Sequence, residues 1–188
     1  YRIVPTYQDG NWSETEFESI EDFRSFISSI FKEPGKYNFD ATALLFNQQA
    51  INFNTKGVYC DKPFRSKDFI EYWNDQKNKC REGVIYHSGN KSWYITRDYY
   101  MWLNFLPIFD KEEKKYGFAK IRDAQYHMAL YEVMAEINFK HVAILKKRQI
   151  ASSYFHMAKL INQYWFEEGS ICKIGASLKD YINDKGSW

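Results

Sequence analysis

The amino-acid sequence predicts an α/β fold, and three observations in its last third carry that prediction. His141–Leu145 is a short run with four consecutive apolar residues and reads as a buried strand. A basic and small-residue loop, Lys146–Ser153, follows it, and a helix-like run then extends from near Ser153 to Glu168. The alternation continues with a second apolar segment, Ile171–Gly175, and with Ser177 placed to cap a final helix through Ile182. From about residue 118 the order is therefore helix, strand, loop, helix, strand, helix, the start of an α/β sheet. A strand, a tight polar loop and a helix form a phosphate cradle, because a helix N-terminus presents unpaired N–H groups and partial positive charge. The match to a standard phosphate loop is poor, since the loop holds no glycine and no lysine stands next to Ser153.

The elements before it follow from periodicity and punctuation. Residues 1 to 16 read as loose, with Pro5, a turn-like Asp9–Gly10 and the polar stretch Ser13–Glu16. Ile20, Phe23, Phe26, Ile27, Ile30 and Phe31 recur at three- and four-residue intervals, which predicts a helix from Ser19 to Lys32 ended by Pro34 and Gly35. Between residues 38 and 54 the pattern is ambiguous: Ala41–Phe46 fits a helix, Ala50–Phe53 a strand. Ser66 is placed as the N-cap of a helix through Lys79. Gly83 releases the chain into Val84–Tyr86, and Ser88–Asn90 is a hairpin turn before Trp93–Ile95. Thr96 caps a helix from Arg97 to Phe105, which Pro107 terminates. Residues 110 to 117 read as a charged, solvated loop. Phe118–Tyr126 leads into an amphipathic helix carrying Met128, Leu130, Tyr131, Met134 and Ile137, and Gly169 closes the later helix.

Composition narrows the class. A chain of 188 residues makes one domain, or one and a part; with 45% hydrophobic and 27% charged residues it can bury a substantial core. The 15 Tyr, 15 Phe and 6 Trp mostly sit beside aliphatic residues, so they read as core rather than as stacking platforms for bases. A net charge of +2 advertises no polyanion partner, which leaves Lys146, Lys147 and Arg148 as the local basic patch. Cys60, Cys80 and Cys172 are odd in number and widely spaced, which argues against a disulfide framework and for a reducing compartment. Cys60, Cys80 and His87 lack a paired-ligand spacing and read as structural rather than zinc-binding. No apolar run approaches the ~18 residues of a membrane span, and no signal-peptide layout opens the chain. Starting at Tyr1 and stopping at Trp188 after Asp184–Gly186, the sequence reads as a piece of something longer.

Four blocks, in order, resemble the large terminase subunit, the DNA-packaging motor of tailed phages, and in particular terminases of the crAss-like phages of gut Bacteroidota. Trp93–Asn104 resembles the family's aromatic block ending in Leu-Asn. Arg122, Asp123 and Gln125 resemble its adenine motif. Val142–Ser153 resembles its nucleotide loop, in which Lys-x-Arg-Gln precedes a glycine and a Ser or Thr. Ile171–Ser177 stands where its second sheet strand lies. The resemblance covers residues 93 to 188. It implies a P-loop NTPase start of the RecA/ASCE-like kind over residues 111–188, cut before the Walker B acids, preceded by a mixed, mainly α region over residues 1–110.

The implied cofactors are ATP and Mg²⁺. Lys146 or Lys147 would reach the β/γ-phosphates, with Arg148 close by, and the loop Gln149, Ile150, Ala151, Ser152 would cradle them. Ser153 would ligate Mg²⁺ through its hydroxyl, with Ser152 as the alternative, and Gln125 would read the adenine edge. Two departures stand out: Ala151 replaces the loop glycine and Ser152 the usual lysine. An alanine holds such a loop only if its φ stays negative. The family implies double-stranded DNA gripped by its phosphates, a portal protein, a small terminase, a homo-oligomeric ring and assembly in the host cytoplasm, without a membrane. No apolar run ending in Asp-Glu occurs and no nuclease segment follows, so this stretch alone is not expected to catalyse. The alternative is a non-catalytic phage structural or interaction module whose residues 141–168 are only a strand-turn-helix. A recombinase- or helicase-type enzyme would share the loop but not the block at 93–104.

Overall fold

The computed structural model describes residues 2–31, 43–110, 114–146, 151–173 and 175. The chain is α/β, with a mixed four-stranded sheet and helices packed against it. The first 16 residues are not loose. Strands β1 (Arg2–Gln8) and β2 (Asn11–Phe17) form an antiparallel hairpin, closed by Asp9 and Gly10 at φ 49° and 89°. Two successive positive φ values are what a tight two-residue hairpin turn requires, and Asp-Gly supplies them. Pro5 argues against an inner strand because it lacks a donor. The fold accommodates it by starting the parallel ladder to the next strand only at Thr6.

Helix α1 (Ile20–Phe31) starts as expected: the Ser19 hydroxyl accepts from the Asp22 N–H, and the Asp22 carboxylate accepts from the Ser19 N–H. Its Phe23 and Ile27 are buried. Helix α2 (Ala43–Phe46) is a single turn and α3 (Gln48–Lys56) follows at once, so Ala50–Phe53 is helical rather than a strand. Gly57 ends α3 at φ 72°. Helix α4 (Lys67–Glu82) carries the expected Ser66 cap, whose hydroxyl accepts from the Phe69 N–H. Strands β3 (Val84–Ser88) and β4 (Lys91–Ile95) form the expected hairpin. Gly83, at φ 76°, could not be another residue, since a Cβ there would lie 2.6 Å from the Ile95 carbonyl oxygen. The sheet order is β2-β1-β3-β4, with β1 and β3 parallel and the outer pairs antiparallel.

Helix α5 (Arg97–Phe105), capped by Thr96, is the hub: every residue from Asp98 to Asn104 is buried. The charged stretch after it is not all loop, because β5 (Ile108–Asp110) and β6 (Lys115–Gly117) pair as a small hairpin. Helices α6 (Asp123–Ile137) and α7 (Ser152–Phe166) complete the core. Tyr126 of α6 reaches the sheet, its hydroxyl accepting from the Tyr94 N–H at 3.1 Å. Phe155 of α7 packs on Tyr99 and Trp102 of α5, with ring centroids 5.9 and 5.6 Å away. The aromatics divide between core and surface: Tyr86, Tyr94, Tyr99, Trp102, Tyr126 and Phe155 are nearly inaccessible, whereas Phe64, Tyr116, Phe139, Tyr164 and Trp165 are exposed. The expected final helix through Ile182 lies outside the described residues, which also contain no helix long and apolar enough to cross a membrane.

Candidate functional site

The region singled out by sequence lies where α6, the segment 141–146 and the start of α7 meet. His141–Leu145 is not a buried strand. It carries no strand pairing among the described residues; only Val142 is half-buried, Ile144 is 38% exposed and Leu145 fully so. The four-stranded sheet is built from residues 2–17 and 84–95, and the segment instead runs beside α6 and α7. There Val142 and Ile144 help line a cavity of about 270 Å³ with Glu132, Lys140, His156 and Lys159. Ile171–Lys173 is likewise unpaired, with Ile171 83% exposed, so the second expected strand is not formed. A strand needs a partner ladder for its N–H and C=O groups, and apolar sequence alone does not provide one.

Of the residues expected to hold nucleotide, Lys146 is exposed at the end of the extended segment. Lys147, Arg148, Gln149 and Ile150 lie outside the described residues. Ala151 precedes α7 in the left-handed conformation, φ 55° and ψ 22°. Its φ is positive, against the condition the sequence placed on an alanine there. Ser152 is buried; its hydroxyl lies 3.2 Å from His156 Nδ1. Ser153 is exposed in the first turn. Gln125 is buried in the first turn of α6, only 2% exposed, so its side chain sits in the interior rather than at an open mouth.

What the fold does bring together is a charged cluster that the apolar periodicity passed over. Glu132 of α6 is buried and accepts from His156 Nε2 at 2.9 Å and from Lys159 Nζ at 2.7 Å. Lys159 also pairs with Glu136 at 2.5 Å. Arg97 joins the same cluster through Glu167, Glu136 and its neighbour Asp98. The signal was in the spacing: Glu132 and Glu136 are four apart, His156 and Lys159 three apart, so each pair shares a helix face.

His156 is held at both ring nitrogens. Its Nδ1 lies 2.7 Å from the Ser152 carbonyl oxygen and 3.2 Å from the Ser152 hydroxyl, and its Nε2 donates to the Glu132 carboxylate at 2.9 Å. The Glu132 hydrogen bond raises its pKa against the opposing effect of burial. Burial pushes the Glu132 carboxyl up, but hydrogen bonds from His156 and Lys159 more than reverse this and leave it below the ordinary range. With both ring nitrogens occupied, His156 is not a free base. Asp98 behaves differently: burial pushes its carboxyl up to about 7, against the pull of Arg97 and Lys159.

No protein-family model, curated protein or solved structure matches the chain. The site is therefore read from its own chemistry. It offers a helix start and Lys146 close in sequence, which suit an anion. Among the described residues no three His, Cys, Asp or Glu groups converge to hold a metal. Cys60, Cys80 and Cys172 are free thiols, and burial pushes the Cys80 thiol up to about 12.

The ion cluster has a pH signature. A raised His156 pKa contributes stability that is complete below its unfolded value and fades as pH rises through the folded one. Asp98, also raised, loses stability in the same direction, as pH climbs from the ordinary carboxylate range to about 7. Glu132, lowered, adds stability above its unfolded value that is lost in acid. Urea midpoints are expected to fall as pH rises from the ordinary carboxylate range through about 7 and on through the folded His156 value. The fall should be shallower in Asp98→Asn and in His156→Gln; an unchanged slope in both would show that the cluster does not couple to folding.

Proposed function

We propose that this chain is the N-terminal part of a phage terminase large subunit, an ATP-driven motor that packages double-stranded DNA. The observation that carries the reading is the start of α7, where Ser153 is exposed in the first turn and Lys146 is exposed at the end of the segment that leads toward it. Ala151, where the resemblance places the loop glycine, is left-handed, which costs an L-residue about 1 kcal/mol and counts against the reading. Lys146 or Lys147 would neutralise the β/γ-phosphates, with Arg148 beside them, and the loop amides from Gln149 to Ser152 would cradle them. Ser153, exposed at the helix start, fits the Mg²⁺ ligand better than Ser152, whose hydroxyl is buried against His156. A P-loop NTPase of the RecA/ASCE-like kind would need segments 141–146 and 171–173 to pair as strands, which they do not do among the described residues. In the complete motor, acidic residues outside this sequence would orient the attacking water. A homo-oligomeric ring on a portal protein, fed by a small terminase in the host cytoplasm, would grip DNA by its phosphates.

A second reading, a non-catalytic phage structural or interaction module, is favoured by the exposed and unpaired state of residues 141–146. Calorimetric titration with ATP·Mg²⁺ separates the two. Lys146→Ala or Lys147→Ala is expected to weaken binding about 10- to 100-fold, the worth of one charge-assisted contact. Ala151→Gly should strengthen binding and raise stability together. Binding unchanged by both lysine substitutions would overturn the assigned lysine role, and no binding at all would favour the second reading for this chain.

A further inference from the structure

A second, more enclosed cavity of about 340 Å³ lies between the β1–β2 hairpin, α3 and α4, and it shares no residue with the candidate nucleotide loop. Tyr7, Trp12 and Tyr72 supply aromatic walls. Trp12 is half exposed at the lip and packs edge-on against Tyr7 and Tyr86, at centroid distances of 5.1 and 6.1 Å. Within it lies an unusual charge. The Lys79 side chain is only 5% exposed, with its ammonium 3.5 Å from the centre of the Trp12 ring and 2.7 Å from Asp75 Oδ2. An ammonium carries three donors; one goes to Asp75 and one face is taken by the Trp12 ring, which leaves donor capacity inside the cavity. Asp75 Oδ2 also accepts from the Gln76 amide at 2.8 Å, whereas its Oδ1 has no hydrogen-bond partner among the described residues. The pair thus offers a donor next to an acceptor, between aromatic walls.

That edge is complementary to a flat ring in which an N–H lies beside a carbonyl. Thymine and guanine carry this arrangement on the ring; adenine and cytosine instead present a bare ring nitrogen beside their exocyclic group. A peptide amide has the same pair of groups but no aromatic face to stack. The cavity is at the small end of ligand pockets, which suits a base or nucleoside. We propose that it binds an unpaired keto base, thymine or guanine, stacked on the aromatic walls, with Lys79 donating to its carbonyl and Asp75 accepting from its ring N–H. The site is independent of the ATP reading and stands or falls separately from it.

The test is titration of the chain with thymidine, deoxyguanosine, deoxyadenosine and deoxycytidine, followed by tryptophan quenching, with Trp12→Phe marking the signal from this site. Saturable quenching is expected with thymidine and deoxyguanosine, at least about tenfold tighter than with the other two, and absent in Trp12→Phe. Lys79→Met should abolish the preference. Asp75→Asn changes a half-exposed side chain and leaves the fold intact by circular dichroism; it can turn a donor to the ligand and should move the preference toward deoxycytidine. Equal affinity for all four nucleosides, no saturable signal with any, or a preference untouched by Asp75→Asn would each overturn the proposal.

Discussion

Replacing Phe155 with alanine is expected to destabilise the chain by about 3–5 kcal/mol, the usual cost of emptying a buried aromatic site. Phe155 is 1% exposed and lies against Tyr99 and Trp102, themselves almost wholly buried in α5. Neither large ring can swing in to fill the space, because each is held by neighbours: the Tyr99 hydroxyl accepts from the Arg122 N–H, and Trp102 packs on Tyr99. The consequence reaches the candidate site. Phe155 stands in the first turn of α7, next to His156 and three residues after Ser152, so the same contact that docks α7 on α5 positions the helix start. Urea unfolding with an unchanged m-value measures the loss. A cost under about 1 kcal/mol would mean that α7 does not dock on α5 as described.

Asn104→Leu should cost about 2–4 kcal/mol although it adds apolar surface to the core. Asn104 is completely buried, and its amide works in three directions. Nδ2 donates to the Phe46 and Tyr100 carbonyls at 2.8 and 2.9 Å, and Oδ1 accepts from the Gln49 N–H at 3.0 Å. The last contact matters most. Gln49 lies in the first turn of α3, where N–H groups have no partner within the helix, and Asn47 at the N-cap makes no side-chain cap. Asn104 therefore caps α3 from a different helix, and leucine strands that donor in the interior. Asn104→Asp keeps the acceptor but buries a charge, so its defect should ease in acid. Chemical denaturation of the two variants across pH checks both; equal stability of Asn104→Leu and the parent would rule the cap out.

These residues show how far sequence reasoning reaches. Asn104 stood at the end of an aromatic block that drew attention by resemblance, yet nothing local says that its amide serves residues 46 and 49. Glu132 and Glu136 share one helix face by spacing, as do His156 and Lys159, but the sequence reading passed over them and their meeting depends on how α6 packs beside α7. The hairpin of residues 2–17 was hidden by Pro5, which is tolerated only because the neighbouring ladder begins one residue later.

By itself the sequence determined the local elements that depend on short-range chemistry. Ser66 and Thr96 cap their helices through their own hydroxyls, Gly83 ends α4, and Ser88–Asn90 turns the β3–β4 hairpin. Periodicity likewise located α1, α6 and α7, because a helix satisfies its own backbone and needs only an apolar face to dock. Tertiary structure alone decided what required a distant partner. Apolar runs at 141–145 and 171–175 are strand-like in composition, but a strand exists only where a second strand completes its hydrogen bonds, and among the described residues none does. It also decided the backbone at Ala151, left-handed immediately before α7, which the sequence permits only with strain. Finally, only the fold could bring Lys79 under Trp12, since a contact between a hairpin lip and a helix 67 residues later has no local signature.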